Sequence, residues 1–216
     1  MRERRRPGPA GGGSRARRAR GGPGGRPRGR GDDRARWRAE ATPTAVFADA
    51  AWDPTGRWSA DDLAPLEVAD VFTPNETEAL HYTRADSAAE AARLLAERVP
   101  VVVVTRGRDG VIACAGGDPF ALPALEVPVV DTTGAGDAFT AGLVWARLHG
   151  LGLRAAVSLA SATAAATLGR PGGSLNAPAL VQVAALVRAT PLPDGFDAEF
   201  LDLIGDGAIP DAPTKT

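Results

Sequence analysis

Lysine, cysteine, methionine and tyrosine each occur once in this sequence, and no apolar run is long. A single cysteine, Cys114, excludes an intrachain disulfide and a cysteine-rich zinc site. It lies in the alternating run VIACA and reads as a small core residue. No apolar stretch approaches the ~18 residues of a membrane span. The charged N-terminus is followed by no apolar segment of the secretory kind. A cytoplasmic protein with no membrane partner is the expectation. The one lysine, Lys215, stands next to the C-terminus. A Walker-type phosphate loop, which needs Gly-Lys-Ser/Thr, is therefore excluded. A Rossmann Gly-x-Gly-x-x-Gly after the first strand is also missing, as is any histidine pair or carboxylate triplet with metal-ligand spacing. His81 and His149 read as ordinary helix-surface residues.

What is present is unevenly spread. Residues 1–40 hold fourteen arginines and four acidic residues, a balance of +10, so the rest of the chain carries −11 of the total −1. Residues 1–44 form an Arg/Gly/Pro-rich segment that is expected to be disordered. Apolar side chains are too few there to offset the entropy of ordering like-charged chain. Such a segment can attract nucleic acid through phosphate. Residues 1–31 lack the interleaved Phe or Tyr that stacks on bases, which weighs against a nucleic-acid partner. A misassigned start or a shifted frame in GC-rich DNA would also give this composition.

Residues 45–190 change to alternating strand and helix. TAVFADA and VADVF read as short strands, with a turn-rich WDPTGRW loop and a short helix capped by Ser59 between them. A helix opens at Thr73-Pro74-Asn75-Glu76, and another follows Asp86 or Ser87. PVVVVT reads as a strand buried on both faces. GVIACA and PFALPA read as an antiparallel hairpin around Gly116-Gly117. VPVVD reads as a strand leading into DTTGAGDAFTAGL, a loop and an amphipathic helix. LRAAVSLASATAAATL is a helix so rich in small residues that its partner must pack closely. Residues 177–189 form a third helix, with Pro178 in its first turn. Residues 191–216 are a tail whose apolar patch, with Phe196, Phe200 and Ile204, fits a short helix. This alternation predicts an α/β fold with a mostly parallel sheet flanked by helices. Ligands in such sheets sit at the carboxyl ends of strands. The loops after Val104 and Val130 are the ones to watch.

Gly134-Ala135-Gly136-Asp137 feeds a helix. Glycine lets the backbone turn sharply and approach a ligand. The first-turn N–H groups lack intrahelical partners and point at an anion, aided by the helix dipole. A phosphoryl group in transfer spreads negative charge over its oxygens, which such a pocket stabilises. Asp137 on the same turn can take a proton from an attacking hydroxyl if it lies within hydrogen-bond reach. The tetrapeptide alone is equally a plain helix start.

The thirteen residues DTTGAGDAFTAGL closely resemble the C-terminal signature of the PfkB, or ribokinase-like, family of carbohydrate and nucleoside kinases. TPNETEA resembles that family's Asn-x-x-Glu motif, here Asn75 and Glu78, which is also a capping box. TRGRDG resembles its nucleotide loop, and ASATAAATLGRPGGSLNAP the helix and loop that flank adenine and a monovalent-cation site. The resemblance implies an ATP- and Mg²⁺-dependent kinase of a sugar or sugar-like hydroxyl. It assigns Asp137 as base and Gly134 to the catalytic turn, with the amides of Ala135, Gly136 and Asp137 as the anion hole. Asn75, Thr105, Gly107 and Ser161 would meet the nucleotide, and Glu78 would hold magnesium through water. Asp131, Thr133, Arg170, Gly172 and Ser174 fall where relatives place K⁺. Ser161 replaces the Asn of many relatives, and Pro171 replaces a polar residue. Nothing in residues 1–44 resembles the family's N-terminal half, which carries the first strands, the β-lid and the sugar-binding Gly-Gly motif. The expected fold is therefore ribokinase-like with that half and the lid missing. Its uncovered sheet edge would pair with another chain, such as a second copy in a homodimer. A nucleotide-binding chain without catalysis, and a nucleoside or hydroxymethylpyrimidine kinase, are the competing expectations.

Overall fold

A computed structural model describes residues 45–50, 52–173 and 177–205. Five strands form one sheet in the order β1-β2-β3-β4-β5. They are β1 (Phe47–Ala48), β2 (Val71–Phe72), β3 (Val101–Thr105), β4 (Val111–Cys114) and β5 (Phe120–Leu122). The pairings β1–β2 and β2–β3 are parallel, while β3–β4 and β4–β5 are antiparallel. Only β4 therefore runs against the rest, and the mostly parallel expectation holds.

Strand alternation divides the core. Val102, Val104, Ile112 and Cys114 face one cluster with Phe72, Ala91 and Leu95. Val103, Val111, Ala113 and Leu122 face the other, with Leu143, Leu159 and Val183. Both faces of β3 are covered, which is why four consecutive valines suit it. The first face is covered by α1 (Glu76–Thr83) and α2 (Ala88–Ala96). The second lies under α3 (Ala135–Leu148), α4 (Leu153–Leu168), α5 (Leu180–Ala189) and α6 (Phe200–Ile204). The α6 helix, from the expected tail patch, buries Phe200 and Ile204 in that core.

Local chemistry sets the ends. Ser87 accepts the Glu90 N–H and caps α2. Ser59 caps a 3₁₀ helix, Ala60–Val68, rather than an α-helix, and Pro65 lies inside it. Proline offers no N–H to an α-helical ladder. Small residues bring α3 and α4 together as expected. A Cβ on Gly142 would stand 2.7 Å from Thr163 Oγ1 and 3.0 Å from Ala160 Cα.

Three expectations change. Residues 123–130 form no strand. Pro123 and Pro128 remove two ladder donors, and Val129 and Val130 are exposed instead of packed. The Gly-rich turn is thus reached through an extended coil, tied to α4 where Val130 N–H donates to Leu168 C=O at 2.8 Å. Pro178 precedes α5, which begins at Leu180. The histidines are not plain surface residues. His149 stacks on Trp145 with ring centroids 3.9 Å apart, and His81 packs 4.8 Å from the buried Trp58. Among the described residues, no helix is long and apolar enough to cross a membrane.

Candidate active site

The carboxyl ends of β1, β2 and β3 open on one edge, where the motifs converge. After β2, Asn75 caps α1 by accepting the Glu78 N–H at 2.9 Å. Glu78 Oε2 accepts the Asn75 N–H at 2.9 Å in return. This completes the expected capping box and leaves Glu78 Oε1 outside it. After β3, Thr105 N–H donates to Pro74 C=O at 3.0 Å, so the α1 entrance and the β3 exit are one unit. Arg106 Nε reaches Glu76 at 3.0 Å. Gly110, at φ +82°, closes the following turn where a Cβ would overlap the Leu122 carbonyl.

Gly134 takes the left-handed conformation, φ 75° and ψ 4°, and caps α3. Ala135 N–H donates to Thr132 C=O at 3.3 Å. The N–H groups of Gly136 and Asp137 have no hydrogen-bond partner among the described residues. A Cβ at Gly136 would meet open space. Asp137 is exposed on this first turn.

Beside the turn lies a cavity of about 1090 Å³. Ala135 and Gly136 line it, as do Thr105 and Gly107. Its walls are the coil around Leu125, Val127 and Val129 and one face of α4, with Ser161, Ala164, Ala165 and Leu168. Thr105, Gly107, Ala135, Gly136 and Ser161 therefore share one space. Sequence reasoning missed the coil wall. It placed the α4 helix beside the nucleotide through the resemblance, and the face that lines the cavity recurs at the helical spacing i, i+3, i+4, i+7.

Asp49, at the end of β1, was likewise not singled out. Partial burial raises its pKa above the ordinary 3.8, the Ala50 N–H opposes this, and the charge of Asp137 adds to the rise. Burial also raises Glu78, against the Asn75 N–H, and the charge of Asp49 contributes. The charge of Asp137 thus acts on Asp49, and that of Asp49 on Glu78, across the strand ends. A strand ending in Asp at a carboxyl edge was the available signal.

Asp131 behaves oppositely. Its Oδ1 accepts the Thr133 N–H at 2.9 Å and its Oδ2 accepts the Gly172 N–H at 3.1 Å. The bonds from Thr133, then from Gly172, lower its pKa. It ties the Gly-rich turn to the loop after α4, where a Cβ on Gly173 would touch Thr133 Cγ2 at 3.1 Å. Gly172 meets Asp131 through its N–H, and Thr133 meets it through both its N–H and its side chain. Arg170 lines a separate hollow with Pro178 and Gln182. Ser174 and the Arg-rich residues 1–44 lie outside the described residues. Among the described residues, no three His, Cys, Asp or Glu side chains are grouped to hold a metal ion.

Comparison with known proteins gives four matches. The profile of the pfkB family carbohydrate kinases matches residues 31–180. A 1-phosphofructokinase from Haloferax volcanii is 38% identical over 90 residues, covering 42% of this chain and 30% of that protein. Among solved structures, the ribokinase of Thermotoga maritima superposes with a TM-score of 0.61 at 27% identity, over 70% of this chain and 52% of its own. The ribokinase of Arabidopsis thaliana, solved with ribose and ATP, gives 0.57 at 26% identity over 67% and 47%. The chain thus spans between about a third and a half of the length of these relatives.

Proposed function

The chain belongs to the pfkB family of carbohydrate kinases, and from that premise we propose that it is an ATP-dependent phosphotransferase acting on a hydroxyl of a sugar or sugar-like small molecule. One observation carries the reading. The unpartnered N–H groups of Gly136 and Asp137 lie where the cavity meets the strand-end carboxylates. The nucleotide occupies the cavity, with Thr105, Gly107 and Ser161 along it and its terminal phosphate at the Gly-rich turn. The turn's N–H groups and the dipole of α3 stabilise charge on the phosphoryl oxygens during transfer. Asp137 accepts the proton of the attacking hydroxyl.

Magnesium, arriving with the nucleotide, would supply positive charge against the phosphates. It binds through one or two carboxylates, water and phosphate rather than a full protein cage. Glu78 fits that mode: its buried carboxylate keeps Oε1 outside the capping box. Asn75 fixes Glu78 in place. A potassium ion would rest on Asp131 as its anionic ligand, beside the Gly-rich turn.

A second reading is a chain that binds nucleotide without turning over. What favours it is length, because the chain covers 30% of the Haloferax relative and 52% of the Thermotoga one. Both readings are tested by incubating the full chain with Mg-ATP and a panel of sugars, sugar phosphates and nucleosides. Phosphorylated product that disappears in Asp137→Asn supports transfer. ATP-bound protein with neither ADP nor phosphorylated product from any acceptor supports the second reading.

A further inference from the structure

Trp52 is 64% exposed, yet its ring rests on other rings. It meets the buried Trp58 edge-on with centroids 5.1 Å apart. Trp58 in turn packs 4.8 Å from His81 and 5.0 Å from Tyr82, both on α1. The loop that carries the two tryptophans is fixed from within. The Asp53 carboxylate accepts the Trp58 N–H at 2.7 Å and the Thr55 N–H at 2.8 Å. Trp58 takes the left-handed conformation, φ +49°, which a bulky side chain seldom adopts. Arg84, at the end of α1, donates to the Arg57 C=O at 3.0 Å and ties the loop to the helix. The loop thus keeps Trp58 inside and presents Trp52 to solvent on an aromatic base.

Carboxylates stand around that base. Burial raises the pKa of Tyr82 above the ordinary 10, and the charges of Asp62, Asp53 and Glu78 add to the rise. These acids therefore act at the aromatic cluster. Asp62 and its neighbour Asp61 are exposed in the first turn of the 3₁₀ helix. Asp53 keeps its charge, because the Trp58 N–H and then the Thr55 hydroxyl hold its pKa at about 2. Arg57 and Arg84 offset part of this charge, and the Arg84 guanidinium is turned to the Arg57 carbonyl. An exposed indole beside carboxylates suits a guanidinium, which stacks on the ring while its N–H groups meet the acids.

We propose that this face binds the chain's own arginine-rich segment, residues 1–40, with Trp52 as the stacking platform and Asp61 and Asp62 as the anionic partners. Charge and reach both select this occupant. Residues 1–40 carry +10 and the rest of the chain −11. Arg38 stands seven residues before Ala45, where the described chain begins, and Trp52 stands seven residues after it. Seven residues span at most about 25 Å in either direction. Arg38 can therefore be brought to Trp52 within one molecule, and the other thirteen arginines lie further back with more slack. Such a tether sets an effective concentration on the order of millimolar, so a face of modest intrinsic affinity stays occupied. Many equivalent arginines also compete for the one platform, which raises its occupancy further. The docked segment places positive charge along α1, the helix whose first turn carries Glu78.

Trypsin reads the contact directly, because it cuts after arginine. The full chain is digested and the release of fragments of residues 1–40 is timed by mass spectrometry, against a free peptide of the same forty residues. Parent, Trp52→Ala and Asp61→Asn/Asp62→Asn chains are compared in about 10 mM and about 1 M NaCl, where the Debye length falls from about 30 Å to about 3 Å. All three replaced residues are exposed, and melting curves confirm that the variants remain folded. At low salt the parent segment is expected to be cut more slowly than the free peptide. Each variant is expected to speed that cutting by about two- to fivefold, the worth of one exposed cation–π contact. In 1 M salt the parent and the aspartate variant are expected to be cut alike. Protection that survives tenfold dilution of the chain supports the intramolecular contact. A parent segment cut as fast as the free peptide at low salt overturns the proposal, as do variants that leave the rate unchanged. Protection that disappears on dilution also overturns it, in favour of a second copy as the partner.

Discussion

Glu78 carries a carboxyl group into a nearly solvent-free position, and burial raises its pKa above the ordinary 4.5. A group with a raised folded-state pKa favours the fold while protonated. That contribution is complete below the unfolded-state pKa and is lost as pH rises through the folded value. At neutral pH and above, the ionised Glu78 therefore works against the ligand-free fold. Glu78→Gln keeps an oxygen for the Asn75 N–H, so the capping box survives. Denaturant titrations should show Glu78→Gln to be more stable than the parent at about pH 8, with the difference vanishing at about pH 4. A constant difference across pH would mean that the charge is not the cause. In the proposed function Asp137 takes the proton of the attacking hydroxyl, so Asp137→Asn should lower turnover by about 10²–10⁴-fold. Nucleotide affinity should stay within about twofold, because the same turn N–H groups remain. A variant with full turnover would exclude it as the base.

At the scale of elements, two glycines on α3 have opposite surroundings. Gly142 faces Thr163 and Ala160 of α4 with no room for a side chain, whereas a side chain at Gly136 would enter open space. Gly142→Val should destabilise the fold by ~1–3 kcal/mol through overpacking. Gly136→Val should leave the melting temperature nearly unchanged. Calorimetric melts of both would show whether the α3–α4 contact is as tight as the geometry requires. The same helices show how far the sequence could be read. The Ala-rich pattern of α4 and the four valines of β3 were legible because burial on all sides leaves a compositional mark. The Asn75–Glu78 capping box was legible because it is local. The coil at 123–130 was not, because its valines look like a strand while Pro123 and Pro128 decide otherwise. Asp49 escaped notice because its meaning comes from Asp137 and Glu78, which are far along the chain. Ser161 was placed by resemblance alone. Only the structure distinguishes its hydroxyl, without a partner among the described residues, from those of Thr163 and Thr167, which are bonded within the helix.

For the whole molecule, the division of labour follows from the sheet. The cavity is built from β3 onward, by α3, α4 and the 123–129 coil, all within residues 105–168. The chain covers 52% of the Thermotoga ribokinase, and the described cavity forms the nucleotide side of the proposed site. Nucleotide binding by this chain should therefore be easier to detect than phosphoryl transfer. Saturating Mg-ATP should raise the melting temperature, since a ligand bound only to the folded state stabilises it. Sugar acceptors should add little to that shift. The most direct measurement is the affinity of the full chain for Mg-ATP, compared between the parent and Gly136→Val. The expected result is binding by the parent and a loss of about tenfold or more in the variant, with its melting temperature retained. Equal affinity in the two proteins would contradict a phosphate seated on the Gly-rich turn.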